Sequence, residues 1–402
     1  MTLIAIHLIQ NHAPSNLNRD DNGDPKDTLF GTSRRARISS QAIKRSMRWN
    51  EEFRAAFADS LLATRTQLLP EWIRDELKQQ SASDEELLVI LQHAVRFGKS
   101  DAKSGGDTSG ASDDDSGAKK KKKGGKGDTD EGAADEVLKT AQLMFLSMEE
   151  IQQLTTWLLE KCRNVGTPAF GALKTDDLVK EIKKTIGLFE PHAVDIAMFG
   201  RMTTSSPFKD VEAAVQVAHA FSTHKIETEY DFFTAVDDRS GESGAGMLGD
   251  VAFNSATYYK YINIHWEELL KNLRGDYELA AVAVVALLHA ALKAIPSGKQ
   301  NTFAAHNLPD FALVEVLAKN TPVSYANAFV QSMQATAKES LLEVSINTLL
   351  NYASKIGQKY EIASERAFFS IQDNTQSAIQ ECATISDLSQ WLRKRIPAHQ
   401  EA

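Results

Sequence analysis

Between Lys99 and Glu136 the chain has no aromatic and no large aliphatic residue. The stretch is mostly Gly, Ser, Asp and Lys, with an acidic run at Asp113, Asp114 and Asp115 and a basic run from Lys119 to Lys123. It has no apolar surface whose burial could offset the entropy lost on ordering, so it is expected as a disordered surface loop. The lysines read as a solvated run balanced by nearby acids. Any core must therefore be assembled from the two flanks. At 402 residues, 42% hydrophobic and 25% charged, the whole chain suits a globular protein of two to three domains, or one large domain with insertions.

The flanks show ordered periodicities. Leu3 to Ile9 (LIAIHLI) is a short apolar run ending at polar turn residues, which predicts a strand. Glu51 to about Phe97 is helical, with Phe53, Phe57, Leu61 and Leu62 returning at three- and four-residue steps, and helices resume from Glu136 to about Leu188. Asp195 to Met202 predicts a strand and Val211 to Phe221 a helix. Glu227 to Val236 and Asn254 to Ile264 alternate as strands. The Gly-rich polar segment between them predicts a long hairpin arm. Leu279 to Ile295 is an apolar helix, Phe311 to Leu317 a strand, and helices follow at Tyr325 to Met333, Glu339 to Lys355 and Ile385 to Arg395. With inserts removed, the order is strand, helix, strand, strand, helix, strand. That is an α+β, ferredoxin-like arrangement, the frame of RNA-recognition-motif domains.

One segment runs against the charge of its own protein. The chain holds 45 Lys and Arg against 54 Asp and Glu, a net charge of -9. Yet Thr28 to Arg48 carries Arg34, Arg35, Arg37, Lys44, Arg45 and Arg48 and no acid. A cationic patch on an acidic chain points to an anionic partner at one place. Ser39 or Ser40 can cap a helix following the arginine loop. On a 3.6-residue period Gln41, Lys44, Arg45 and Arg48 share a polar side. A helix start, two hydroxyls and a fan of long cations suit a phosphate backbone. A solvated basic face remains the alternative.

Other chemistries are poorly served. Cys162 and Cys382 make neither a disulfide framework nor a metal set and fit a reducing cytoplasm. The N-terminus lacks a basic n-region and a cleavage site, and the apolar helix is too short to span a bilayer. Gly244, Gly246 and Gly249 match a dinucleotide pattern without its strand-to-helix context. His219 and His224 are five apart, a poor spacing for a metal pair on one helix. Asp20-Asp21 and Asp237-Asp238 could in principle hold Mg²⁺, though turns suit them better. Phe232 and Phe233 could be core or could stack on bases.

Four stretches carry a family resemblance: NRDDNGDPKDTLFG through RRARISSQAIKRSMR (Asn18 to Arg48), GRMTTS (Gly200 to Ser205), AHAFSTHKIETEYDFFTAVDD (Ala218 to Asp238) and GKQNTFAAHN (Gly298 to Asn307). Together they resemble CasC, the backbone subunit family of type I-E CRISPR Cascade complexes. The similarity runs in order to about Phe329 and returns at Ser386 to Arg395.

The resemblance implies a hand-like subunit. Its RNA-recognition-motif-like palm would be formed by 1–50, 191–203 and 254–402, where C-terminal helices join it. Helical fingers would span 51–190 with the disordered insert at 99–136. A projecting β-hairpin thumb and its helix would span 204–253. Copies would polymerise head to tail along CRISPR guide RNA beside other Cascade subunits, leaving the guide free to pair with target DNA. No catalytic role, cofactor, metal or membrane is implied. Residue by residue, Arg19, Lys26, Arg34, Arg35, Arg37, Ser39, Ser40, Gln41, Lys44, Arg45 and Arg48 would form the backbone-binding palm surface. Met202 would sit against a base. Phe232, Phe233, Thr234 and Leu248 would lie on the thumb against displaced or neighbouring bases, and Lys299 and Gln300 would form a later basic loop. Ser33 stands where the family can have a further basic residue, and Phe232 where Trp can occur. The rival reading is a metal-dependent RNA-cleaving enzyme of related architecture using Asp20, Asp21, Asp237 or Asp238. An interaction protein that presents its basic patch to an acidic partner is a third.

Overall fold

The computed structural model describes residues 1–97, 137–140, 142–185, 191–202, 208–236, 245–372 and 379–397. The low-complexity stretch from Lys99 to Glu136 and the pair Asp237-Asp238 lie outside them. The chain divides into two compact units. The first is Met1–Phe57 with Ala214–Lys271 and Gly275–Ala402; the second is Ala58–Ala213 with Asn272–Arg274.

The strands in chain order are β1 Leu3–Ser15, β2 Asp27–Phe30, β3 Ser33–Ile38, β4 Thr64–Thr66, β5 Met144–Leu146, β6 Val215–Val217, β7 Ala220–Ser222, β8 Glu229–Val236, β9 Ala245–His265, β10 Phe311–Leu317, β11 Ser364–Ser370 and β12 Gln380–Glu381. In the first unit they form one sheet ordered β12-β11-β10-β1-β9-β7-β3-β2, with β6 and β8 also paired to β9. β1 is central and antiparallel to both neighbours, with Leu3 opposite Leu317 on one side and His265 on the other. A strand covered on both faces reads as a nearly continuous apolar run. Leu3, Ala5 and Ile9 pack with Tyr259, Phe311, Phe329 and Leu349. Ile4, Ile6 and Leu8, turned the other way by the pleat, are just as buried. Helix Tyr277–Lys293 starts where the Asp276 carboxylate accepts from the Leu279 amide at 2.9 Å. It is apolar around most of its circumference and correspondingly buried.

The second unit is mostly helical and packs Leu69, Ile73, Leu77, Leu154, Leu158 and Phe170 into its own core. Capping boxes start two of its helices, Ser83 with Glu86 before Asp84–Ala94 and Ser147 with Glu150 before Met148–Val165. β4 and β5 form a separate two-stranded sheet there.

Several sequence expectations change. The arm's second strand is 245–253, inside the segment read as its connection, and Asn254 to Ile264 pairs with β1 instead of with β8. Asp195 to Met202 is not a strand: Val194–Phe199 forms a short helix, and only Arg201 then bridges to Val211. A short apolar run cannot separate a buried helix from a buried strand by periodicity. Here the Asp195 carboxylate accepts from the Ala63 amide at 2.8 Å, and Gly200 at φ +76° ends the helix. Val211 to Phe221 is not a helix either. β6 and β7 lie in it, both paired to β9. The 21-residue length of β9 supplies ladder partners that outweigh local propensity. Tyr325 to Met333 tightens into a single 3-10 turn, Ala326–Phe329.

Candidate nucleic-acid interface

The basic segment is a strand hairpin, β2 and β3, followed by helix α1, Ser40–Arg48. The arginine stretch was expected as a loop; most of it is β3. Asn18 ties the pieces together. Its carboxamide oxygen accepts from the Ser39 amide at 2.8 Å and its carbonyl accepts from the Lys26 amide at 2.8 Å. Lys26 in turn accepts from the Arg37 amide. Ser39 is the cap, its hydroxyl accepting from the Ala42 amide at 3.3 Å. The remaining orphan amides at the helix start have no carboxylate beside them, since the first turn holds no acid.

Helix α1 buries Ile43 and Met47 and presents Gln41 and Arg45 to solvent, with Lys44 and Arg48 half-buried. Burial lowers the pKa of Lys44. Arg34 is exposed and pairs with Asp27 at 2.5 Å. Arg37 donates to the Asp27 carbonyl at 3.2 Å and meets His219 at 3.1 Å. Arg19 bridges to Pro25 around a turn held by Asp20, whose carboxylate accepts from the Asn22 and Asp24 amides at 2.9 and 3.0 Å. Lys299 and Gln300 join from far along the chain. A Cβ on Gly298 would stand 2.3 Å from the Leu17 carbonyl oxygen, so glycine alone allows that loop to lie against the segment leading into Asn18. The structure thus links the hairpin and helix that carry Arg19, Lys26, Arg34, Arg37, Ser39, Ser40, Gln41, Lys44, Arg45 and Arg48 through Asn18, and sets the loop of Lys299 and Gln300 next to Leu17. Asn18 and Gly298 were missed as organisers of this arrangement; neither carries charge, and their partners are set by the fold.

Arg35 departs from the expectation of a surface cation. It is fully buried and donates to four carbonyls: Ser222 at 3.2 Å, Thr223 at 2.6 Å, Phe329 at 3.0 Å and Val330 at 3.3 Å. Burial lowers its pKa. It fastens β3 to the sheet and cannot reach a ligand.

The projecting hairpin has a different character. β8 and the outer half of β9 pair with Phe232 opposite Asp250, Phe233 opposite Gly249 and Thr234 opposite Leu248. Directly opposed residues share a face, so Phe232, Thr234 and Leu248 stand on one side and Phe233 on the other. Phe232 and Leu248 are 67% and 62% exposed. Phe233 is less so, because its ring lies across Gly249, where a Cβ would meet the ring at 2.5 Å. Gly249 is therefore a strand position covered by an aromatic ring, and neither phenylalanine is core.

The GRM motif lies in the second unit. Gly200 takes the positive φ, and a Cβ there would meet the Val211 carbonyl at 2.9 Å. Arg201 is buried and paired with Glu150 at 2.8 Å. Met202 is 88% exposed. Among the described residues no three His, Cys, Asp or Glu side chains cluster as metal ligands, and no helix is long and apolar enough to cross a membrane.

A mixed α+β protein with a large sheet, a cationic hairpin and helix at one end, and an exposed arm is the class these features define. The chain belongs to the family described as CT1975-like protein, whose model matches residues 4–392, and is a CasC-type backbone subunit. It is similar to a chain in a structure described as "CRISPR RNA-guided surveillance complex, pre-nicking", with 28% identity, TM-score 0.76, and coverage of 98% of this chain and 99% of that one. A second, described as "CRISPR RNA-guided surveillance complex", shares the fold at TM-score 0.67 with 24% identity and coverage of 98% and 99%. No curated protein matches.

Proposed function

We propose that the chain is a non-catalytic backbone subunit that polymerises along CRISPR guide RNA in a type I-E Cascade complex and holds the RNA so that its spacer can pair with target DNA. The carrying observation is that the acid-free first turn of α1 and its cations are locked onto the sheet by Asn18, Ser39 and Arg35. Backbone cations and amides accept any spacer, because they read phosphate and not base edges. The antiparallel order β10-β1-β9-β7 supports an RNA-recognition-motif-like palm, and the exposed hairpin from Glu229 supports a thumb that closes over RNA on a neighbouring copy. Arg19, Lys26, Arg34, Arg37, Gln41, Lys44, Arg45, Arg48, Lys299 and Gln300 are assigned to the RNA backbone. Met202, Phe232, Phe233, Thr234 and Leu248 are assigned to bases. Arg35 serves only to position the others.

The test is the triple variant Lys44→Ala, Arg45→Ala, Arg48→Ala. Guide RNA co-purification should fall sharply at near-native stability, and the slope of log affinity against log salt should shrink by about 2. Unchanged retention removes α1 from the interface. Binding should also be cooperative, since each copy's thumb completes its neighbour's site. Tight, non-cooperative binding by a monomer contradicts polymerisation.

A further inference from the structure

The chain has five tryptophans. Trp266 and Trp391 are buried, and Trp72 and Trp157 are partly buried against the second unit's core. Trp49 is 61% exposed. It is the residue that ends α1, its amide donating to the Arg45 carbonyl at 3.1 Å. Arg45 is one turn back on the same side of the helix, and Arg48 immediately precedes it. From the next helix the Arg54 guanidinium lies over the indole, 5.0 Å from the ring centroid. That helix is fixed in place, because the Asn50 carboxamide caps it through the Glu52 and Phe53 amides and Phe53 is fully buried. Of the two adjacent acids, Glu52 is engaged by Lys293 and His289, while Glu51 is exposed.

Leaving a large indole in water gains nothing for folding. An indole with arginine stacked on it and two further arginines on the preceding helical turn combines a π-face with cations. That pairing suits an unpaired base and its phosphate. An apolar protein contact would have to desolvate the same arginines.

We propose that Trp49, supported by Arg54 and flanked by Arg45 and Arg48, is a stacking platform for an unpaired nucleobase at the far end of the helix whose start faces phosphate. The inference rests on the nucleic-acid reading of α1 and adds a base contact to it. Every base has a π-face, so the platform is indifferent to sequence.

The experiment uses the full chain and three probes of equal length: oligouridylate, oligodeoxythymidylate and an abasic oligomer carrying the same phosphates. Trp49→Ala should weaken the base-bearing strands roughly ten-fold and leave the abasic strand unchanged, while Trp49→Phe retains most of the affinity. Base-bearing strands should quench the tryptophan emission, and the quenched component should be missing from Trp49→Phe. A larger loss on the RNA probe assigns the base to a guide-like strand; a larger loss on the DNA probe assigns it to a DNA strand. Equal weakening on all three probes, or none on any, overturns the platform. So does quenching on self-association without nucleic acid, which would mark a protein contact. If Trp49→Ala is silent while the α1 triple variant loses binding, the platform fails and the guide-binding reading stands. If the wild-type chain binds none of the probes under conditions that permit assembly, that reading fails as well.

Discussion

The cationic hairpin with α1 and the projecting arm of β8 and outer β9 sit in the same unit and solve opposite problems. The first presents charge from a scaffold that is almost wholly internal: Arg35 is buried, Ser39 and Asn18 are buried, and Ile43 and Met47 anchor the helix. The second presents apolar side chains from a scaffold with almost no core of its own. Every described side chain from Glu229 to Thr234 is exposed, and the arm's paired segments, 229–236 and 245–253, carry the acids Glu229, Asp231 and Asp250 and no Lys or Arg. A cation can wait in water at little cost. An exposed row of Tyr230, Phe232 and Leu248 is retained because something covers it. Sites on the first region should therefore be costly to disturb at their anchors, and sites on the arm should be nearly free for folding and costly for assembly.

Arg35→Met tests the anchor. It removes the guanidinium from four carbonyls, of which Thr223 keeps the Met333 amide and Val330 is partly exposed, and should lower unfolding free energy by about 3 kcal/mol, read from urea midpoints. A loss under about 1 kcal/mol would mean that β3 is held by its ladder alone.

The inner half of β9 gives the next largest effect. Lys260 is buried, bonded to Gln10, and its pKa falls from 10.5 to about 8 through desolvation. Between those values the unfolded chain binds more protons than the folded one, so stability rises with pH from about 8 to 10.5. The change should approach about 3 kcal/mol and vanish in Lys260→Met. His12, lowered to about 3 by burial, should act in the same direction between about 3 and 6.5. A flat profile over the alkaline range would show that Lys260 keeps its charge solvated.

On the arm, Gly249→Ala pushes the Phe233 ring from its seat. The ring is a side chain that can swing away, so about 1 kcal/mol or less is expected. Phe232→Ala with Leu248→Ala should change stability by under about 0.5 kcal/mol yet weaken assembly on RNA. If this pair unfolds the protein, the arm has a core and the contrast between the regions collapses.

Much of this was legible before the fold was known. β1, the apolar helix after residue 276, a serine cap at Ser39 or Ser40 and the polar face of α1 follow from residue spacing, because they depend on neighbours within a few positions; the structure chooses Ser39. Only the first strand of the arm was legible: β8 pairs with 245–253, most of which reads as a polar Gly-rich connection, while the alternating run from Asn254 to Ile264 pairs with β1. The inward turn of Arg35 was not. Arg34, Arg35 and Arg37 look alike along the chain, and only pairing to β2 and β7 separates a cation at the surface from one among the carbonyls of residues 222, 223, 329 and 330. β6 and β7 were missed for the same reason: their helical spacing is real, but β9 offered them hydrogen-bonding partners.

The order of residues by itself determined where local structure could start and stop, which segment is cationic on an acidic chain, and which family the chain resembles. Tertiary structure decided which cations face outward, how Gly298 brings Lys299 to the segment leading into Asn18, and why a side chain at Gly249 would displace the Phe233 ring. Helical periodicity and caps act over one or two turns. Burial and strand register depend on segments hundreds of residues apart, and a linear pattern does not record which of them will meet.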